Sequence, residues 1–170
     1  MSNAKGHDLS HIRYEGDADH SSDRIALVVS KWNEKVTGAL HQGARETLIA
    51  AGVAAENIID CMVPGSYELP AGAAMALDAM PTFDAVICIG CVVQGETRHF
   101  EFICQAVAQG IKDVTLEYGV PVIFGVLTPD TDQQALDRAG GKYGNKGEEA
   151  AVAALEMIDL GRQLTEMMEE

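Results

Sequence analysis

Four compact apolar runs punctuate this chain, and each is followed by a stretch patterned like a helix. The runs are Arg24 to Ser30, Asn57 to Val63, Phe83 to Val93 and Pro121 to Leu127, all rich in β-branched residues. Between and after them lie Asn33 to Ala51, Tyr67 to Met80, His99 to Tyr118, Asp132 to Ala139 and Gly147 to Glu169. The first of these carries Val36, Leu40, Ala44 and Leu48 at four-residue spacing, the signature of an amphipathic helix. Asn33 suits its N-cap and Gly52 its stop, while Pro70 is tolerable only in the first turn of the second helix. Strands that are apolar along their whole length must be covered on both faces. Alternation with helices then specifies an α/β fold: a four-stranded parallel sheet with helices on both faces.

At 170 residues the chain suffices for about one domain. We expect a flexible N-terminal arm over 1–23 and a single domain over 24–170. The arm is polar, Ser2-Asn3-Ala4 reads as a cloning remnant, and His7, His11 and His20 are expected to be solvated. Twelve basic against 26 acidic residues leave a net charge of −14. That field repels phosphate backbones, so nucleic acid is not an expected partner. No uncharged run reaches the roughly 18 residues of a membrane span, and no basic-then-apolar leader opens the chain. The expected location is cytoplasmic, with no membrane partner.

Cys88 and Cys91 spell C-x-x-C, but inside the third apolar run. Two strand positions three apart face opposite ways, with α-carbons about 10 Å apart, beyond the reach of a disulfide. With no second C-x-x-C and no His at ligand spacing, Cys61, Cys88, Cys91 and Cys104 are expected as structural thiols, and no metal site is expected.

Ligands of open parallel sheets bind beyond the carboxyl ends of the strands. That rule selects Ser30 to Asn33, Pro64 to Glu68, Gln94 to His99 and Thr128 to Asp130. In the third segment, Gly95 permits close backbone approach, and the amides of Glu96, Thr97 and Arg98 open a helix that can face an anion. His99, one turn in, suits proton transfer beside a phosphate. Spacing equally allows a polar loop capped by Thr97 with His99 merely on the surface. Arg138, Lys142 and Lys146 form a local basic, Gly-rich stretch; Arg138 can fork onto phosphate, although spacing alone favours a solvated turn. Trp32, the only tryptophan, could stack on a flat heterocycle or simply be core. No G-x-G-x-x-G, P-loop, G-x-S-x-G or H-E-x-x-H occurs.

Taken together, these segments resemble the 6,7-dimethyl-8-ribityllumazine synthase family of riboflavin biosynthesis. The likeness runs from about Tyr14 to Arg162. It rests on Tyr14-Glu15-Gly16, Val63 to Pro70 (VPGSYELP), Gln94 to Glu101 (QGETRHFE), Pro121 to Thr128 (PVIFGVLT) and Arg138 to Gly147 (RAGGKYGNKG), in order. The resemblance implies a flavodoxin-like, three-layer α/β/α sandwich. It implies condensation of 5-amino-6-ribitylaminouracil with 3,4-dihydroxy-2-butanone 4-phosphate to the lumazine, phosphate and water, with no metal or organic cofactor.

By the same resemblance Trp32 stacks on the pyrimidine and Asn33 lies beside the ribityl chain, which Ser66, Tyr67 and Glu68 hold. Val92 and Val93 present backbone to the uracil edge. Glu96 and Thr97 bind phosphate, and His99 shuttles protons. Phe124, Arg138 and Lys146 come from a neighbouring subunit, Arg138 as the main phosphate partner. A homo-oligomer follows: a pentamer, and, because the loop from Gly140 to Asn145 carries no insertion, a sixty-subunit icosahedral shell.

Three positions depart from the common pattern. Phe is frequent where Trp32 stands, and members with Trp there can retain flavins, so riboflavin or FMN is a candidate ligand. Arg is common where Gln94 stands. Glu96 places a carboxylate beside the phosphate loop, which must turn away while its amide donates. Two other readings compete. One is a flavin-binding or shell-forming paralogue with weak catalysis, motivated by Trp32. The other is a lumazine-dismutating riboflavin synthase, which would have no phosphate for Thr97, His99 and Arg138 to hold.

Overall fold

The computed structural model describes residues 12–169. Its elements are β1 (Ile25–Ser30), α1 (Glu34–Ala50), β2 (Ile58–Val63), α2 (Leu69–Ala79), β3 (Ala85–Cys91), α3 (His99–Tyr118) and β4 (Val122–Leu127). There follow α4 (Asp132–Asp137), β5 (Ala139–Gly141), β6 (Gly144–Asn145) and α5 (Lys146–Glu169). The main sheet has the order β2-β1-β3-β4, and every pairing in it is parallel.

Alternation along the two central strands divides the core. Ile25, Leu27, Val29, Ile87 and Ile89 pack with Leu40 and Leu48 of α1 and with Leu155 and Ile158 of α5. Ala26, Val28, Val86 and Cys88 turn the other way, onto Leu69 and Ala73 of α2 and Val107 and Ile111 of α3. The result is the flavodoxin-like three-layer α/β/α sandwich. β1 and β3 are buried throughout, whereas the edge strands β2 and β4 mix buried and exposed positions. Cys88 and Cys91 lie in opposite cores, and all four thiols are free, as strand alternation requires.

Three details correct the sequence reading. First, α4 stops at Asp137 instead of running to Ala139. Arg138 ends it, and an antiparallel β5–β6 hairpin follows. Gly140 and Gly144 supply the positive φ values, 97° and 78°, that this tight turn demands. Second, the second helical stretch opens with a 3-10 turn over Ser66–Glu68 before α2, with Pro70 in the first turn.

Third, the N-terminal stretch does not float free over its described part. His20 is 1% exposed; its Nδ1 lies 2.7 Å from Asp23 Oδ2 and its Nε2 lies 2.8 Å from the Tyr14 hydroxyl. Tyr14 donates to Asp159, and Arg162 pairs with the buried Asp23. Asp159 and Arg162 stand on α5, and the Asp23 carboxylate, the Tyr14 hydroxyl and Asp159 replace the water that a solvated histidine would need. The reading of His7, His11 and Ser2-Asn3-Ala4 lies outside the described residues.

Candidate functional site

The sheet places the selected loops side by side at its carboxyl edge because all four strands run the same way. After β1 the chain turns sharply at Asn33, whose φ of 61° and ψ of 44° are left-handed. It is the only described residue other than glycine with positive φ. Asparagine tolerates that region better than most residues, and such strain gathers at functional sites. Asn33 occupies the N-cap position of α1, as expected, yet its side chain does not cap the helix. Its Nδ2 donates instead to the Cys91 carbonyl at the end of β3, at 2.9 Å. Trp32, just before this turn, is 72% exposed. The core reading of Trp32 therefore fails, and its indole is free to receive a ring.

After β2, Ser66 is buried and its Oγ donates at 3.5 Å to the same Cys91 carbonyl. Tyr67 is exposed, and the Glu68 carboxylate folds back beside Gly65. Thus two loops converge on one carbonyl of a third strand. Gly90 makes the convergence feasible: a Cβ there would stand 2.6 Å from Ser66 Oγ and 2.8 Å from Leu69 Cδ1. Gly90 escaped the sequence reading. A glycine inside an apolar strand was the available signal, since it marks close approach.

Beyond β3 the strand direction continues. Val92 donates to Leu127 at 2.9 Å and Gln94 to Pro129 at 2.9 Å. Backbone groups of successive strand residues point to opposite sides, so the Val93 amide faces away from β4, towards the turn holding Asn33. The Val92 amide is engaged within the sheet. Glu96, Thr97 and His99 are exposed, and Thr97 Oγ1 accepts from the His99 amide at 3.4 Å. This is a side-chain turn at the start of α3, with free polar groups around it.

The remaining candidates stand elsewhere on the chain. Phe124 lies on the edge strand β4, level with Cys88, and is 38% exposed. Arg138 ends α4; its Nη1 donates to the Gln134 carbonyl at 3.0 Å and its guanidinium lies 5.0 Å from the Tyr143 ring centre. Lys142 approaches the same ring at 5.0 Å. Lys146 donates its amide to the Arg138 carbonyl at 2.8 Å and pairs through its ammonium with Glu149. The contacts of Arg138 are with its own helix and hairpin, not with the Gly95–His99 loop. One chain thus gathers Trp32, Asn33, Ser66, Tyr67, Glu68, Val93, Glu96, Thr97 and His99 at the strand ends. It presents Phe124, Arg138 and Lys146 on a strand edge and a hairpin. A cavity of about 500 Å³ is at neither place: it lies between the start of β4 and α5, lined by Val120, Pro121 and Met157 among others. At the strand ends Trp32, Tyr67 and Thr97 all stand exposed.

Comparison with known proteins bears on the chemistry. The profile of the family described as 6,7-dimethyl-8-ribityllumazine synthase matches residues 22–162. A protein of that name from Cytophaga hutchinsonii is 53% identical over 146 residues, 85% of this chain and 91% of the relative. One from Porphyromonas gingivalis is 51% identical over 156 residues, covering 92% and 96%. A third, from Parabacteroides distasonis, is 49% identical over 151 residues, covering 89% and 94%.

Proposed function

The chain belongs to the 6,7-dimethyl-8-ribityllumazine synthase family, and we propose that it performs that family's condensation in a pocket assembled from two protomers. It is a transferase of riboflavin biosynthesis: 5-amino-6-ribitylaminouracil and 3,4-dihydroxy-2-butanone 4-phosphate combine to the lumazine, with loss of phosphate and water.

The observation that carries the shared pocket is the division of the site residues. The stacking ring and the proposed phosphate loop stand at the strand ends, while Phe124 and Arg138 occupy an outer strand and a hairpin. A copy docked edge to edge brings both sets together. Each role then follows from chemistry. Trp32 covers the pyrimidine face, and the Val93 backbone reads its edge. Ser66, Tyr67 and Glu68 hold the ribityl hydroxyls, with Oδ1 of Asn33 alongside. The amides of Glu96 and Thr97, the Thr97 hydroxyl and the partner copy's guanidinium bind the phosphate.

The uracil amine attacks the ketone and, with loss of water, forms an imine. Proton removal and departure of phosphate leave an enol that tautomerises to a new carbonyl; the second amine adds to that carbonyl, and loss of a second water completes the ring. Each step moves a proton, and His99 beside the phosphate is the group placed to take and return it. Charge on the departing phosphate is met by Arg138 and Lys146. Fixing two substrates in one geometry removes a large entropic share of the barrier.

The assembly we propose is a pentamer, with the insertion-free loop from Gly140 to Asn145 supporting closure into a sixty-subunit shell. Light scattering at neutral pH showing pentamer mass alone would refute the shell. Four free thiols support a reducing compartment, and we place the enzyme in the cytoplasm. No helix among the described residues is long and apolar enough to cross a membrane.

The deciding experiment mixes two impaired variants, Trp32→Ala and Arg138→Ala, dissociates them, lets them reassemble and assays them at butanone phosphate well below KM. A shared pocket returns about one quarter of wild-type turnover, the statistical share of interfaces joining two intact halves. No recovery would place both residues in one chain's site and sink the reading.

A further inference from the structure

We propose that Asn33 is a positioning residue that fixes the Trp32 indole opposite the Val93 backbone through its latch onto the Cys91 carbonyl. The proposal rests on the reading of Trp32 as the pyrimidine platform. Three observations carry it. Asn33 alone among described non-glycine residues holds a left-handed backbone, and it holds it directly after Trp32. Its side chain forgoes the helix cap and crosses to β3, with Nδ2 2.9 Å from Cys91 O. Ser30 Oγ donates to the Trp32 carbonyl at 3.4 Å, restraining the same turn from the strand side.

The physical logic concerns a strand that ends early. Pairing between β1 and β3 runs only to Val29 and Ile89, and Lys31 donates to Val63 of β2. Further along, β3 therefore faces no strand partner on that side. The Cys91 carbonyl lies at the start of this gap, and the Asn33 amide satisfies it in place of a ladder bond. The next group on the same side is the Val93 amide. Tying the turn to Cys91 therefore sets the distance between ring platform and backbone edge. A flat heterocycle with a hydrogen-bonding rim suits a ring platform beside a free backbone amide. The left-handed turn separates Trp32 from α1 and leaves the indole exposed.

Because Trp32 is the only tryptophan, fluorescence reads this position directly. Three proteins suffice: wild type, Asn33→Asp and Asn33→Gly. Both substitutions tolerate the positive φ. Aspartate keeps an oxygen where Oδ1 stands and loses the amide donor; glycine loses both. In the ligand-free oligomer, the latch predicts lower tryptophan anisotropy and faster acrylamide quenching in both variants. It also predicts that KM for the ribitylaminouracil rises about 2- to 12-fold, the range expected for one lost hydrogen bond, while KM for the phosphate ester stays within twofold.

If Asn33 served only as an oxygen contact to substrate, Asn33→Asp would bind like wild type and neither ligand-free variant would change its anisotropy. That outcome overturns the latch. Failure of the uracil substrate to quench wild-type Trp32 saturably would instead remove the platform reading, and the ligand-free anisotropies would still decide whether the latch holds the ring.

Discussion

A Cβ on Gly147 would lie 1.9 Å from the carbonyl oxygen of Leu40, so the start of α5 rests directly on the backbone of α1. Asn145 locks the same junction, donating through Nδ2 to the Ala39 carbonyl at 3.0 Å and accepting from the Gly147 amide at 2.8 Å. The hairpin that follows Arg138 is thereby tied to α1. Gly147→Ala must push α5 away. We expect a loss of about 1–3 kcal/mol, typical of overpacking, seen as a lower Tm in scanning calorimetry. An unchanged Tm would contradict the close contact.

The cluster around His20 gives a second prediction. His20→Phe preserves the ring volume but leaves Asp23 Oδ2 without the imidazole and removes the ring nitrogen beside the Tyr14 hydroxyl. Unsatisfied buried groups cost about 1–3 kcal/mol, so the urea midpoint should fall, and the region before β1 should become protease-sensitive.

The same cluster has a pH signature. Burial, then the hydrogen bond to Asp159, pushes the Tyr14 hydroxyl up to about 12 from its usual 10. The folded state thus holds this proton more tightly than the unfolded one. Its stabilising contribution is complete below pH 10 and is lost as pH rises through about 12. Denaturation curves of wild type and Tyr14→Phe should converge over that window; parallel curves would refute the linkage.

Arg138 should govern phosphate and little else. In Arg138→Ala we expect a KM for the butanone phosphate raised at least tenfold, with inhibition by inorganic phosphate weakened in parallel, as follows from losing a charge-assisted bond worth about 1.5–3 kcal/mol. Quenching of Trp32 by the uracil substrate should persist. Normal turnover would remove the phosphate assignment.

Thiol chemistry separates the cysteines. Burial raises the Cys88 thiol far above its ordinary range and lifts Cys91 to about 11. Alkylation of the folded protein at pH 8, followed by peptide mapping, should leave both unmodified, while the half-buried Cys61 and Cys104 react slowly. Denaturant should expose all four.

The exposed indole also bears on flavin. If Trp32 retains riboflavin or FMN, purified protein should show flavin absorbance that Trp32→Ala abolishes. Colourless wild-type protein after riboflavin addition and gel filtration would settle the question against retention.

Periodicity alone determined much of this molecule. Val- and Ile-rich runs separated by amphipathic stretches leave one economical arrangement, a parallel sheet buried on both sides, and that arrangement assigns ligands to the strand ends. Local chemistry went further at Pro70, which had to open a helix, and at Cys88 and Cys91, which strand geometry kept apart. Contacts between residues distant in sequence were beyond such reasoning. That His20 would be buried depended on Asp159 and Arg162, more than a hundred residues away. That Asn33 would forgo its cap depended on where β3 ends beside it. That Gly90 and Gly147 are required depended on Ser66 and Leu40 crossing above them. Repeating patterns encode which face of an element turns inward; only the folded chain decides which particular groups meet there, because hydrogen bonds and close packing act over a few ångströms of space and are blind to distance along the backbone.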